Sequence, residues 1–231
     1  MSNRDYASKQ LNKIQNRIVS AARAANRNVD SIRLVGAAKQ QSAELVSAFH
    51  QAGLNDIGEN YLNQGLEKQQ VLGELQLNWH FIGAIQSNKT SDIALHFDWV
   101  HSVDRMKIAE RLNRQSPSNK RLQVLLQIDI DDEATKAGVA VDQVPALSNE
   151  VAQLPALDLR GFMLLPRARE GFDQQRKPFA RARKLLETCN QRYGLQMDSL
   201  SMGMSNDLEA AIAEGSTMVR IGTDLFGPRA K

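Results

Sequence analysis

Lys39 closes a short apolar run, Leu34-Val-Gly-Ala-Ala38, an unusual place for a lysine and a candidate for covalent chemistry. A lysine buried at a strand end loses hydration, which favours the neutral amine, the form that attacks an aldehyde. The alternative is a lysine that snorkels to solvent from the strand end. Two further strings set glycine beside hydroxyls: Met202-Gly-Met-Ser205-Asn206-Asp207 and Arg220-Ile-Gly222-Thr223. Glycine lets backbone N–H groups approach an anion, Ser205 is placed to cap a following helix, and Thr223 adds a hydroxyl donor. The two strings read as halves of one phosphate cradle; the alternative is Ser205 as an ordinary N-cap and Gly222 as an ordinary turn. His80 and His101 end two other apolar runs and are candidates for acid–base work, with His80 read as orienting the site or packing near the fold axis. No histidine, cysteine and carboxylate grouping has metal-ligand spacing, so no metal is expected.

The elements that must position these residues follow an alternation. Short β-branched or apolar runs are each followed by a longer stretch of helical period. A helix opens the chain over about residues 5–25, with Leu11, Ile14, Ile18, Ala21 and Ala22 as its apolar stripe. Eight strands are then expected at residues 32–38, 56–60, 78–83, 99–103, 122–130, 157–165, 199–202 and 217–221. Ser42, Tyr61 and Ser87 or Asn88 mark helix starts, and Asp104 is a natural N-cap for a helix over 105–114. A strong helix is expected from Phe179 to Tyr193, stopped by Gly194, and another over residues 206–213. Eight strands alternating with helices are the arithmetic of a (β/α)₈ TIM barrel. An open doubly wound sheet shares the pattern, but no glycine-rich dinucleotide fingerprint follows the first strand. The expected organisation is one domain over residues 1–231, with the extra N-terminal helix at about 5–25 and the barrel at about 32–226. Barrel sites lie at the C-terminal strand ends, often with phosphate held after strands seven and eight, where Ser205, Gly222 and Thr223 fall.

Composition narrows the class. Of the 231 residues 42% are apolar and 24% charged, ordinary for a globular protein. The single cysteine, Cys189, admits no intrachain disulfide and reads as structural. The start lacks the apolar core of a signal peptide and no window is long and apolar enough to span a membrane, so a cytoplasmic protein is expected. Net charge is only +3. Basic residues cluster between Arg167 and Lys184, a stretch read as a solvated helix face and loop; its alternative is a dock for an acidic partner. Only Phe172 and Phe179 could stack on bases there, so nucleic acid is not expected as a partner.

Several strings together then carry a resemblance over nearly the whole chain and in order. Gly58-Glu-Asn-Tyr61, Phe81-Ile-Gly-Ala-Ile-Gln-Ser-Asn-Lys89, Leu200-Ser-Met-Gly-Met-Ser205 and Gly215-Ser-Thr-Met-Val-Arg-Ile-Gly-Thr223 resemble the YggS/PROSC family of pyridoxal phosphate (PLP) homeostasis proteins. That family is similar in fold to the N-terminal barrel domain of alanine racemase. The resemblance implies PLP as cofactor and Lys39 as its Schiff-base lysine. It implies Ser205, Gly222 and Thr223 as phosphate ligands and Arg220 as the group facing the pyridine nitrogen. Asn60, His80 and Ile82 are implied to lie near the cofactor. Two departures stand out: Ala37-Ala38-Lys39-Gln40-Gln41 lacks the small hydroxyls usual beside the lysine, and Gly161-Phe-Met-Leu-Leu-Pro166 is bulkier than the common form.

An arginine against the pyridine nitrogen makes the ring a poor electron sink. Racemisation also needs acid–base groups on both faces of the substrate carbon. In the racemases the second face is served by a tyrosine from another domain, and Tyr6, Tyr61 and Tyr193 are not placed at strand ends here. The expectation is therefore a carrier, not an enzyme, that stores, buffers or delivers PLP within vitamin B6 homeostasis. The alternative is a low-activity amino-acid racemase. Apo PLP-dependent enzymes are candidate partners, docked through the Arg167–Lys184 segment, and a monomer is the expected state.

Overall fold

Strand pairing decides between the closed and the open arrangement. The computed structural model describes residues 2–133 and 137–228; the remaining positions of the expected 1–231 span lie outside the described residues. Eight parallel strands form one closed ring: β1 (Arg33–Ala37), β2 (Asp56–Glu59), β3 (Asn78–Phe81), β4 (Trp99–Val103), β5 (Leu122–Asp129), β7 (Leu157–Leu164), β8 (Ser199–Ser201) and β9 (Met218–Ile221). The pairing of β4 with β5 and of β1 with β9 closes the barrel. All eight expected strands are present. A two-residue strand that the sequence does not announce, β6 (Val139–Ala140), adds to the end of β5.

Outside the ring stand α1 (Asn3–Ala24), α2 (Ala43–Gln51), α3 (Leu62–Val71), α4 (Thr90–His96), α5 (Met106–Gln115), α6 (Val144–Ala152), α7 (Phe172–Tyr193), α8 (Leu208–Ala213) and α9 (Thr223–Phe226). Helix α1 begins with a reciprocal capping box between Ser2 and Asp5, and buries the expected stripe of Leu11, Ile14, Ile18, Ala21 and Ala22 against α2, α8 and α9. Three local expectations are corrected. The N-cap of α5 is Arg105, not Asp104, whose carboxylate pairs with the Arg105 guanidinium instead of the helix N–H groups. Helix α8 starts after Asp207 rather than over Ser205–Asn206, because the Asp207 carboxylate takes the Met204 N–H and holds 204–207 as a turn. Helix α7 begins at Phe172, two turns before Phe179, and passes through Pro178. A proline in a helix interior forfeits one backbone bond. The early turns are held from outside by Arg176 on Glu214 and by Gln175 on the Arg169 and Asn206 carbonyls.

Two bulges adjust the barrel wall. Opposite β5, strand β7 inserts Arg160 between Leu159 and Gly161. Gly161 has φ 145°, and a Cβ there would stand 1.9 Å from the Ser199 carbonyl oxygen, so only glycine fits. Strand β4 carries an extra residue between Val100 and Val103, in the stretch that holds His101. Val35, Trp99, Leu125, Met163 and Met218 fill the barrel interior, while a larger apolar layer packs between ring and helices. Cys189 is buried in that outer layer, and burial pushes its thiol above the usual range. None of the helices among the described residues is long and apolar enough to cross a membrane.

Candidate functional site

Strand alternation brings the chemistry to the C-terminal mouth of the barrel. In β1, Val35 points into the interior, and Ala37 and Lys39 follow at spacing two onto the wall of a cavity of about 550 Å³. In β9, Met218 lies inside and Arg220 and Gly222 rise above it onto the same wall. Lys39, Asn60, Ile82, Ser205, Arg220, Gly222 and Thr223 all line this one cavity. His80 does not: it is fully buried below the mouth, in the barrel interior, where Asp56 and His101 take its two ring nitrogens.

Lys39 is half buried rather than enclosed, and its Nζ stands 5.9 Å from the centre of the Tyr61 ring. Tyr61 is thus beside the lysine, because the chain turns at Asn60 between the end of β2 and the first residue of α3. The turn after Lys39 is held without the small hydroxyls. Gln40 adopts φ 60°, an uncommon conformation for a residue with a Cβ, and its N–H donates to Gln64 Oε1 at 3.1 Å. The buried Lys68 donates to the Ala38 carbonyl at 3.0 Å and to Glu59 Oε1. Burial drives the Glu59 carboxyl upward, and Lys68 draws it back only in part.

The two glycine strings leave neighbouring strands, β8 and β9, and both line the cavity. Gly203, at φ 97°, turns the chain out of β8; a Cβ there would meet Ala211 Cβ at 2.6 Å. The loop then presents Ser205 to the cavity. Ser205 does not cap α8, and its carbonyl accepts from Arg17 Nη2 at 2.7 Å. Gly222 leaves open the space beside Ala37, whose carbonyl oxygen lies 3.5 Å from where a Cβ would be. Thr223 follows as the first residue of α9, where backbone N–H groups lack intrahelical partners. Arg17, far away in sequence, ties both loops together, pairing with Glu209 at 2.8 Å and Asp224 at 3.4 Å.

The cavity wall is cationic: Lys39, Arg167, Arg169 and Arg220 line it with one carboxylate, Asp207, among the described residues. Arg167 and Arg169 are paired to Glu133 and Asp131. Arg220 is 5% exposed and donates to Ser201 Oγ at 2.7 Å and to the Leu164 carbonyl at 3.0 Å. Burial lowers its pKa to about 10, against the opposing pull of Asp207, so it is a cation at neutral pH. The Asp207 carboxyl is itself pushed up by burial, partly offset by the Met204 N–H and Arg220. No group of three or more histidine, cysteine and carboxylate side chains able to hold a metal occurs among the described residues. The wider basic stretch is largely spoken for, with Arg176 and Arg183 on Glu214 and Arg181 on the Ile130 carbonyl.

Sequence reasoning missed Arg17, Lys68, Glu59, Asp56 and Ser201, while His80 and His101 were singled out without their partners. Period-two alternation was the available signal for some: it places Asp56 on the same face of β2 as Asn60.

Comparison with known proteins agrees with this geometry. The family model described as alanine racemase, N-terminal domain, matches residues 10–230. The pyridoxal phosphate homeostasis protein of Pseudomonas aeruginosa is 52% identical over 218 residues, covering 94% of this chain and 93% of that one. The homologue of the same name in Escherichia coli K12 is 42% identical over 223 residues, 95% of each chain. Among solved structures, PipY of Synechococcus elongatus with PLP bound is 31% identical, with a TM-score of 0.84 over 96% of this chain and 100% of PipY. Clostridium difficile alanine racemase shares the fold at 16% identity and a TM-score of 0.71, over 94% of this chain and 57% of the racemase. A ring of parallel strands with a lysine and an arginine at its mouth, matched along almost its full length, belongs to the alanine racemase N-terminal domain family and, within it, to the pyridoxal phosphate homeostasis proteins.

Proposed function

We propose that this protein holds PLP as a Schiff base on Lys39 and serves to store, buffer or deliver the cofactor within the cell, with apo PLP-dependent enzymes as recipients. The observation that carries the reading is the convergence of an amine, a desolvated guanidinium and two hydroxyl-bearing glycine loops on one cavity. Its volume, about 550 Å³, is in the usual range for a small cofactor. The residues fit PLP group by group. Lys39 reaches the aldehyde, Ser205, Gly222 and Thr223 surround the phosphate, Arg220 faces the ring nitrogen, and Asn60 and Ile82 border the ring. When bound, PLP supplies an exchangeable imine, which both retains and releases cargo.

The residues support carriage over turnover. The described residues lining the cavity include no tyrosine and no histidine, and Tyr61 lies outside that lining, beside Lys39. Arg220 as a donor to the ring nitrogen disfavours carbanion chemistry. A weak amino-acid racemase is the second reading, favoured only by the phenol of Tyr61 beside the lysine amine.

Borohydride reduction of the PLP-loaded protein, followed by peptide mass mapping, tests the proposal. The expected result is a pyridoxyl-phosphate mass on the Lys39 peptide, absent in Lys39→Ala. An unmodified wild-type protein overturns it. Turnover of a D- or L-amino acid that vanishes in Lys39→Ala establishes the racemase instead.

A further inference from the structure

Beneath the cavity a chain of buried polar groups crosses the barrel interior. Arg220 Nη1 lies 2.7 Å from Ser201 Oγ, which lies 2.9 Å from His101 Nδ1. His101 Nε2 is 2.9 Å from His80 Nδ1, and His80 Nε2 is 2.9 Å from Asp56 Oδ1. His80, His101 and Ser201 are completely buried. At the far end Asp56 also accepts from Arg33 at 3.0 Å and from Asn78 at 3.2 Å.

With both rings neutral, one direction of bonding satisfies every group. A guanidinium only donates and a carboxylate only accepts. Ser201 Oγ accepts from Arg220 and, with both rings neutral, gives its proton to His101 Nδ1. His101 then carries its proton on Nε2 and donates to His80, which carries its own on Nε2 and donates to Asp56. Both nitrogens of each ring are satisfied in this order, and Arg220 never accepts.

We propose that Asp56, His80, His101 and Ser201 are positioning residues that fix the orientation of Arg220 and so set the electronic state of the pyridine ring held above it. This rests on the reading of the cavity as a PLP site with Arg220 at the ring nitrogen. A guanidinium buried in a low-dielectric wall needs its barrel-side donors paired, or it turns to find partners. Ser201 and Leu164 supply those acceptors, and the chain behind Ser201 keeps its hydroxyl lone pair aimed at Arg220. Burial lowers both histidines, His101 well below the usual range, which agrees with neutral rings. The titratable and charged groups facing them are Asp56, Arg33 and Asp98 at His80, and His80, Arg220 and Arg33 at His101. The histidines, which occupy the interior where apolar side chains fill most barrels, thereby have a use without touching the cofactor.

The test uses PLP-loaded protein carrying Ser201→Ala, Ser201→Thr, His101→Phe or Asp56→Asn. Three quantities are read: the visible absorption band between pH 6 and 10, the ring-nitrogen NMR signal of ¹⁵N-labelled PLP, and the Kd for PLP. Borohydride mapping accompanies each. The expected outcome is a Lys39 label in every variant, with Ser201→Ala and His101→Phe moving the ¹⁵N signal and the pH profile of the band. Those two variants are also expected to weaken PLP binding about tenfold, about 1.4 kcal/mol. Ser201→Thr, which keeps the hydroxyl, restores all three, and Asp56→Asn shifts the ¹⁵N signal from the opposite end of the barrel. Folded, Lys39-labelled Ser201→Ala and Asp56→Asn proteins with wild-type band, ¹⁵N signal and Kd overturn the relay alone. A wild-type protein without the Lys39 label overturns the PLP reading and the relay with it.

Discussion

Lys39 sits at a turn that other side chains hold in shape. Lys68 and Glu59 form an ion pair with almost no exposure, and Lys68 also holds the carbonyl of Ala38, the residue before Lys39. Removing one member of a buried pair leaves the other charge uncompensated, a loss of about 3–5 kcal/mol. Lys68→Met should therefore destabilise by about that amount in urea unfolding and weaken PLP binding through the slackened turn. Glu59→Gln added to Lys68→Met should recover part of the stability, since no lone carboxylate is then buried, without recovering the affinity. A double variant no more stable than Lys68→Met argues against this account. Of these residues, the sequence made Lys39, Arg220, Gly222 and Thr223 legible, because each sits in a local string at a strand end. Lys68 was not legible: a lysine on a helix reads as solvated until the fold shows Glu59 beneath it. His80 was legible as a residue of the barrel axis, but its partners stand 24 and 21 positions away along the chain.

At the scale of elements, the N-terminal helix serves the site without entering it. Arg17 of α1 grips the Ser205 carbonyl, Glu209 on α8 and Asp224 on α9, and so couples the loops after β8 and β9. Arg17 and its carboxylate partners are partly exposed, and exposed pairs of this kind contribute about 0–1 kcal/mol to stability. Their effect on loop position is a separate matter, because a cradle with two halves binds phosphate only when both are in register. Arg17→Met should thus raise the Kd for PLP about tenfold while costing about 1 kcal/mol or less in unfolding free energy. Isothermal titration alongside urea unfolding checks the split. Equal losses in both, or none in binding, remove α1 from the site. All eight barrel strands were legible from period-two runs and spacing, and α1 from its apolar stripe. The start of α7 was not, since Pro178 locally argues against a helix that Arg176, Glu214 and Gln175 enforce. Strand β6 was not either, being two residues long and paired only at the tip of β5.

The whole molecule buries its titratable axis, and this shapes its response to acid. Closure of the barrel was legible only as a preference over the open sheet, because an alternation of strands and helices serves both. The histidine axis follows from closure, since it spans β2, β3, β4, β8 and β9. His80 and His101 are lowered by burial in the folded state, while their ordinary value, 6.5, applies when the chain unfolds. Between that value and the lower folded ones the unfolded chain binds more protons, so stability falls as pH drops below about 6.5. Each imidazole that stays neutral contributes a loss of up to about 1.4 kcal/mol per pH unit. Asp56 has the same sign but acts lower, since its carboxyl lies below the usual carboxylate range: burial opposes its charge, and His80, Arg33 and Asn78 prevail. Glu59 and Asp207 act oppositely, because their folded values are raised by burial and the folded state takes up protons first. Comparing two proteins cancels these shared contributions. Glutamine at position 101 has a donor and an acceptor but does not titrate in this range. Wild type and His101→Gln, at matched PLP content, should be unfolded in urea at pH 7.5 and 5.5. The wild type should lose about 1 kcal/mol more between the two than the variant does. An identical loss in both would mean that His101 accepts a proton in the folded barrel, against the neutral ring that burial favours there.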